Sequence, residues 1–100
     1  MNKDIKKIKE LLSTNKEIYE KYNIKKIGIF GSYLSGKNKK SSDLDLLIEF
    51  NETIGLFEFV HLANELQKLL KVKIDLTTLN ALKPYIKEKI LREVYWVERS

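Results

Sequence analysis

Residues 28–50 read GIFGSYLSGKNKKSSDLDLLIEF, and the fold follows from how this stretch divides. Ile24 to Phe30 makes a first strand, with Ile27, Ile29 and Phe30 as its apolar residues. Gly31-Ser32 breaks it. Tyr33 to Gly36 has room only for a short helical turn, and Lys37 to Ser42 is a polar, lysine-rich loop. Leu44 to Phe50 is a second strand, and its Leu46-Leu47-Ile48 run predicts burial on both faces, as in a central strand. The stretch holds three of the chain's four glycines, and it sets Asp43 and Asp45 into the start of an apolar run. Both features are locally costly, because glycine loses backbone entropy on folding and carboxylates resist burial without a partner.

Before this stretch, Ile5, Ile8, Leu11 and Leu12 recur at helical spacing, which predicts a helix over 3–12. Thr14-Asn15-Lys16-Glu17 fits a capping box and predicts a second helix, with Ile18, Tyr19 and Tyr22 on its inner face and Asn23 as a left-handed terminator. One bent helix over 3–22 is the competing possibility. After the stretch, Asn51-Glu52-Thr53 is a cap signal. Leu56, Phe59, Val60, Ala63, Leu66, Leu69 and Leu70 then predict an amphipathic helix over 55–70. Val72 to Thr77 is a short third strand. Pro84 suits the first turn of a last helix over 83–92, with Ile86, Ile90 and Leu91 on its packed side. Val94 to Val97 is apolar, as a terminal strand or a docking tail. The order predicts an α/β (α+β) fold, a small mixed sheet flanked by helices, and one domain over residues 1–100.

Composition is that of a soluble globular chain, with 43% hydrophobic and 33% charged residues. The absence of cysteine excludes disulfides and thiolate metal sites, and fits a reducing, cytoplasmic compartment. The N-terminus, MNKDIKKIKE, lacks the apolar core of a signal peptide, and no stretch approaches the ~20 apolar residues of a membrane span. A net charge of +5 fits first a lysine-rich solvated surface, and as the sharper alternative attraction to a nucleotide, an RNA or an acidic protein face.

Asp43 and Asp45 lie two apart, so they share one face of a strand, while Leu44 points into the core. Two carboxylates placed so repel by roughly 1–4 kcal/mol, and a divalent cation relieves this; hard oxygen ligands suit Mg²⁺. Gly31-Ser32 sits where a strand turns into a helix start, offering N–H groups and a hydroxyl to a phosphate. Lys37, Lys39 and Lys40 fit first a solvated loop, and alternatively a source of positive charge for that phosphate. Asp75, in VKIDL, is a third carboxylate within an apolar strand, which a neighbouring strand can bring alongside Asp43 and Asp45. Three carboxylates can hold two metals roughly 3.5–4 Å apart for in-line displacement at phosphorus.

Each signal is weak alone. Together, G-S-x₁₀-D-x-D with a further Asp on a later strand resembles the signature of the DNA polymerase β-like nucleotidyltransferase superfamily. Size and layout are similar to its smallest members, the minimal nucleotidyltransferase (MNT) antitoxins, over nearly the whole chain: GSYLSG, SSDLDLLIEF, VKIDLTT and the tail LKPYIKEKILREVYWV. The resemblance implies that Gly31 and Ser32 bind phosphate. It implies that Asp43 and Asp45 ligate both of two Mg²⁺ ions, and that Asp75 helps hold the catalytic ion and activates the attacking hydroxyl. It further implies AMP transfer from ATP to a tyrosine of a HEPN-domain toxin partner. The alternatives are an antitoxin acting by direct binding without catalysis, or nucleotide addition to RNA. One departure stands out. The family often carries arginine before the second glycine, as GSxARG, whereas this chain has Ser35, leaving Lys37 as the candidate to compensate. Of the other residues, His61 is expected as a partly exposed helix residue, Tyr33 closes the Gly-Ser turn or shapes the pocket, and Tyr95 and Trp96 pack at the core edge or offer a partner surface.

Overall fold

The computed structural model describes residues 3–99. Helix α1 (Lys3–Thr14) ends where Ser13 Oγ and Thr14 Oγ1 both donate to the Glu10 carbonyl, at 3.0 Å each. Hydroxyls that fold back in this way compete with continued helix. The two-helix alternative holds, but the cap is Asn15 rather than Thr14. Its side chain accepts from the Ile18 N–H at 3.3 Å and starts helix α2 (Lys16–Lys21). Asn23 then takes φ 56°, the left-handed conformation that lets the chain turn into strand β1 (Ile24–Phe30).

Helix α3 is a single turn, Ser32–Ser35, between β1 and strand β2 (Leu44–Phe50). Helix α4 (Leu56–Leu70) leads to strand β3 (Ile74–Thr78), then a 3₁₀ turn at Leu79–Ala81, helix α5 (Pro84–Glu93) and strand β4 (Tyr95–Trp96). The sheet order is β3-β2-β1-β4. β1 runs antiparallel to β2 and β4, and β2 runs parallel to β3. The mixed sheet flanked by helices is the arrangement expected from sequence.

Strand alternation explains the layering. Leu44, Leu46 and Ile48 of β2 join Ile27 and Ile29 of β1 in a core with Ile8, Leu12, Ile18, Leu62, Leu66 and Leu70 from the helices. Leu47 points to the opposite face and is equally buried, so β2 is the doubly covered central strand. On that second face Gly28 lies across from both Leu47 and Trp96. A Cβ at Gly28 would meet Val94 Cγ2 at 2.5 Å and Trp96 Cε3 at 2.9 Å, so the glycine is what admits the indole. Lys26 Nζ sits 4.2 Å above the same ring. The apolar C-terminal segment is therefore a sheet strand. The Val97 N–H donates to the Ile27 carbonyl at 2.9 Å, and the Val97 side chain is buried.

Two helical faces differ from expectation. In α4 the buried stripe is Leu62, Leu66 and Leu70, whereas Leu56 and Val60 are exposed together with Phe57 (83%). The helix is capped at Gly55, whose N–H donates to Glu58 Oε1 at 3.0 Å, rather than by Asn51-Glu52-Thr53. In α5 no residue is buried, and Ile86 and Leu91 face solvent. The helix is amphipathic, but the described residues supply no matching surface for its apolar side.

Candidate active site

The β1–β2 hairpin and the β2–β3 parallel pair bring the acidic residues to one edge of the sheet. In a single row across three strands, Phe30 stands opposite Asp45, and Asp45 opposite Asp75. Parallel pairing is fixed just beneath this row. The Leu44 N–H donates to the Lys73 carbonyl at 2.8 Å, and the Ile74 N–H donates to Gln67 Oε1 at 3.2 Å, which ties the start of β3 to α4. Asp43 lies just before β2, on the same side as Asp45 and exposed. Structure thus gathers the three aspartates singled out from sequence.

Their electrostatics report the crowding. Burial first, then the negative charges of Asp75 and Asp43 and a hydrogen bond with Asp75, push the Asp45 carboxyl from its ordinary 3.8 up to about 6. Among the described residues no lysine or arginine pairs with any of the three; the ion pairs lie elsewhere, at Glu10, Glu49, Glu65 and Glu88. Lys21 and Tyr22, for instance, both engage Glu65, the tyrosine hydroxyl at 2.7 Å.

Gly31 follows Phe30 directly and closes the site from the β1 side. It takes φ 78° and ψ −155°, a region nearly confined to glycine. Any Cβ here would collide with Asp45 Oδ2. Gly31, one of the two residues expected to bind phosphate, is therefore packed directly against Asp45. Ser32 opens α3, and among the described residues its hydroxyl makes no hydrogen bond. Tyr33 is buried in the core.

The residues fit a divalent cation by their chemistry. The donors are all hard carboxylate oxygens, they repel one another, and they have no cationic side chain among them. They form an open edge rather than a finished cage: no three acidic or histidine side chains among the described residues converge tightly enough to enclose an ion. A cleft of about 830 Å³ lies at the far end of β2 and β3, lined by Phe50, Ile54, Leu56, Phe59, Leu76 and Leu79 among others, and includes none of the five site residues. Its lining mixes these apolar residues with Glu49, Glu52, Asn51 and Thr77 but brings no carboxylates into a cross-strand pair, so we take the aspartate row as the candidate site.

The loop after Gly31 is where sequence gave least. It is ordered at both ends. Gly36, at φ 80°, turns the chain so that the Lys37 N–H donates to the Ser32 carbonyl at 2.9 Å. Nearer Asp43, the Lys39 N–H donates to Ser42 Oγ at 2.8 Å. Asn38 Oδ1 lies between these ties, buried without a donor. Its place between Gly31 and Asp43 was the only signal the sequence offered for it.

Comparison with known proteins agrees with this fold. The model of the polymerase β nucleotidyltransferase family matches residues 6–97. The chain is 40% identical over 97 residues to a candidate protein adenylyltransferase of Methanocaldococcus jannaschii, covering 95% of this chain and 99% of the relative. It is 37% identical over 94 residues to the protein adenylyltransferase MntA of Thermococcus cleftensis, covering 93% and 95%. Among solved structures, a candidate minimal nucleotidyltransferase superposes with TM-score 0.77 at 28% identity, covering 94% of this chain and 93% of that one. An MNT antitoxin, solved in complex with a tri-AMPylated HEPN toxin of Shewanella oneidensis, shares the fold with TM-score 0.64 at 20% identity, covering 100% and 74%.

Proposed function

The chain belongs to the polymerase β nucleotidyltransferase family, among its minimal nucleotidyltransferases, and from that premise we propose that it is a protein adenylyltransferase acting as an antitoxin. Its substrate is ATP, and its acceptor is a tyrosine hydroxyl of a HEPN-type partner. The names of its relatives support the activity, and the solved MNT–HEPN complex supports the partner class. The observation that carries the chemistry is the Asp45–Asp75 cross-strand pair, with Asp45 packed against Gly31 and no cationic partner among the described residues.

Asp43, Asp45 and Asp75 would hold Mg²⁺, two ions in our reading, and the bound metal would supply charge neutralisation at the triphosphate. Gly31 lets the triphosphate approach the backbone, and the Ser32 hydroxyl is free to donate to a phosphate oxygen. Asp75, exposed on an edge strand, is the carboxylate an incoming protein can reach, and it accepts the acceptor's hydroxyl proton. The hydroxyl oxygen then bonds to the α-phosphorus, the bond from that phosphorus to the oxygen bridging to the β-phosphate breaks, and pyrophosphate leaves.

Incubating the protein with ATP, Mg²⁺ and the product of the neighbouring reading frame tests this. Intact-mass measurement should show AMP additions on that product, lost in Asp45→Asn. Label on RNA instead of protein would replace this reading with nucleotide addition to RNA, which the +5 charge allows. Neutralisation by contact alone is favoured by one observation, the exposed Leu56 (74%), Phe57 and Val60 on α4. In that case Asp45→Asn would still protect cells from the toxin.

A further inference from the structure

We propose that the acceptor enters as an extended segment of the partner that adds a strand to the open edge of β3, with its hydroxyl-bearing side chain across from Asp75. This rests on the nucleotidyl-transfer reading above and adds to it the form of the acceptor and the main-chain groups that hold it.

Register decides which groups are free. Along a strand the N–H and C=O of one residue point to one neighbour and those of the next residue point the other way. The Leu44 N–H donates to the Lys73 carbonyl, and Leu44 stands opposite Ile74, so Asp75 and Thr77 turn their main chain toward β2. Ile74, Leu76 and Thr78 therefore present theirs to the outer edge. Gln67 Oε1 already occupies the Ile74 N–H at 3.2 Å. Among the described residues the Leu76 and Thr78 N–H groups have no such partner, and neither does the Leu76 carbonyl. The edge is also unguarded. Sheets protect their edges with lysine, proline, bulges or brevity. The opposite edge strand, β4, is two residues long. β3 has five residues in unbroken register with β2, and Ile74 to Leu82 holds neither lysine nor proline.

An added strand takes a place that the site already defines. The row Phe30–Asp45–Asp75 crosses three strands and stops at the open edge. A fourth strand extends it by one residue, whose side chain points to the same face as Asp75 whether the segment runs parallel or antiparallel. Neighbouring strands lie about 4.8 Å apart, so that residue's hydroxyl is the one beside the Asp75 carboxylate. The residues paired with Leu76 and Thr78 point to the other face. There Leu76, Thr78, Phe59 and Leu79 line the cleft at the end of β3. An apolar side chain next to the hydroxyl residue, or three residues from it, fits that cleft. The acceptor is thus selected by a free extended backbone and one apolar contact, and a hydroxyl on a helix or within a closed sheet is excluded.

The test uses the intact protein with the product of the neighbouring reading frame, Mg²⁺ and a non-hydrolysable ATP analogue. Amide hydrogen exchange, followed residue by residue by NMR, should slow by about tenfold or more at Leu76 and Thr78 when the partner is added. Asp75 and Thr77, already bonded to β2, should change little. Thr78→Pro removes an outward N–H and spares the ladder, as proline does on an edge strand. In assays with ATP it should raise the KM for the partner by about three- to tenfold, the loss of one hydrogen bond, with kcat and the KM for ATP unchanged. Thr78→Val, which keeps the N–H, should behave as the wild type. AMP transfer to the partner with no slowing at Leu76 and Thr78, or with the same partner KM in Thr78→Pro and wild type, overturns the added strand and leaves the transferase reading standing. A partner that takes no AMP from the wild-type protein and slows neither amide overturns both.

Discussion

Asp45→Asn should make this protein more stable while abolishing its transfer activity. The Asp45 carboxyl is displaced from 3.8 to about 6 by burial and by its acidic neighbours, so the fold favours the neutral form. Taken at face value that displacement corresponds to about 3 kcal/mol. The side chain is only half-buried, so solvent screening reduces it to about 1–2 kcal/mol. The sign follows from linkage. A carboxyl raised in the folded state binds its proton more tightly there than in the unfolded chain. Its contribution is therefore fully present below pH 3.8 and is lost as pH rises through about 6. Asparagine cannot ionise, so the mutant escapes that loss. The two proteins should melt together near pH 3.5 and diverge between roughly pH 4 and 6. Above that the mutant should lead by roughly 4–8 °C for each kcal/mol. The readout must be the difference between the two proteins, because other groups slope the opposite way. The Tyr22 hydrogen bond, with help from Lys21, holds the Glu65 carboxyl below its usual range, which favours the fold at higher pH in both proteins. Thermal melts in a chelating buffer from pH 3.5 to 8 measure this. Saturating Mg²⁺ at neutral pH should reverse the ranking, because ligand binding stabilises only the protein that binds it. A mutant no more stable than wild type at pH 7.5 in chelator would refute the proposed crowding of the aspartate row.

Four further substitutions test the rest of the structure. Gly31→Ala forces a side chain into a glycine-only conformation and against Asp45 Oδ2; we expect a loss of about 1–3 kcal/mol in denaturant melts, with transfer lost even where the fold survives. Tyr19→Phe removes a hydroxyl that is buried without a partner and whose pKa burial pushes up to about 12; the variant should be as stable as wild type or more so in urea titrations. Leu46→Ala, at the centre of β2, should cost about 2–5 kcal/mol, whereas Phe57→Ser on the exposed turn of α4 should leave the urea midpoint nearly unchanged.

The strands were legible in the sequence because their burial leaves a local mark. The Leu46-Leu47-Ile48 run announces a strand covered on both faces, and Gly31-Ser32 marks where β1 must stop. What stayed hidden depends on partners distant in sequence. Leu56 and Val60 have the right helical spacing, but the first turn of α4 overhangs the layer that covers Leu62 and Leu66, and spacing cannot say where that layer ends. Likewise α5 has an apolar stripe with nothing described to receive it. The cap shifted from Thr14 to Asn15 because both residue types suit the role, and Thr14 found its bond backwards at Glu10. In the candidate site, all five residues stood out in the sequence as candidates, yet two relations between them did not. The register that sets Asp75 beside Asp45 belongs to the parallel pairing, and the contact of Gly31 with Asp45 belongs to the row.

Those two relations also explain how one small domain separates two tasks. Gly31, Ser32 and Asp43 all lie on the single connection between β1 and β2, within 13 residues of one another. Their arrangement is set by local bonds: Lys37 to Ser32, Lys39 to Ser42. Asp75 reaches the same edge by another route, through α4 and a parallel strand anchored by Gln67 and Lys73. In the proposed reading, nucleotide capture on the hairpin and activation of the acceptor on β3 thus rest on separate stretches of chain that meet at Asp45. That residue touches both: Gly31 on one side, Asp75 on the other. Its half-buried, crowded carboxyl resists ionising in the fold, and in the proposed reading it links a ligand held by the hairpin to the strand that receives the acceptor. The sheet tolerates the repulsion because its core, on the opposite face of β2, does not depend on it.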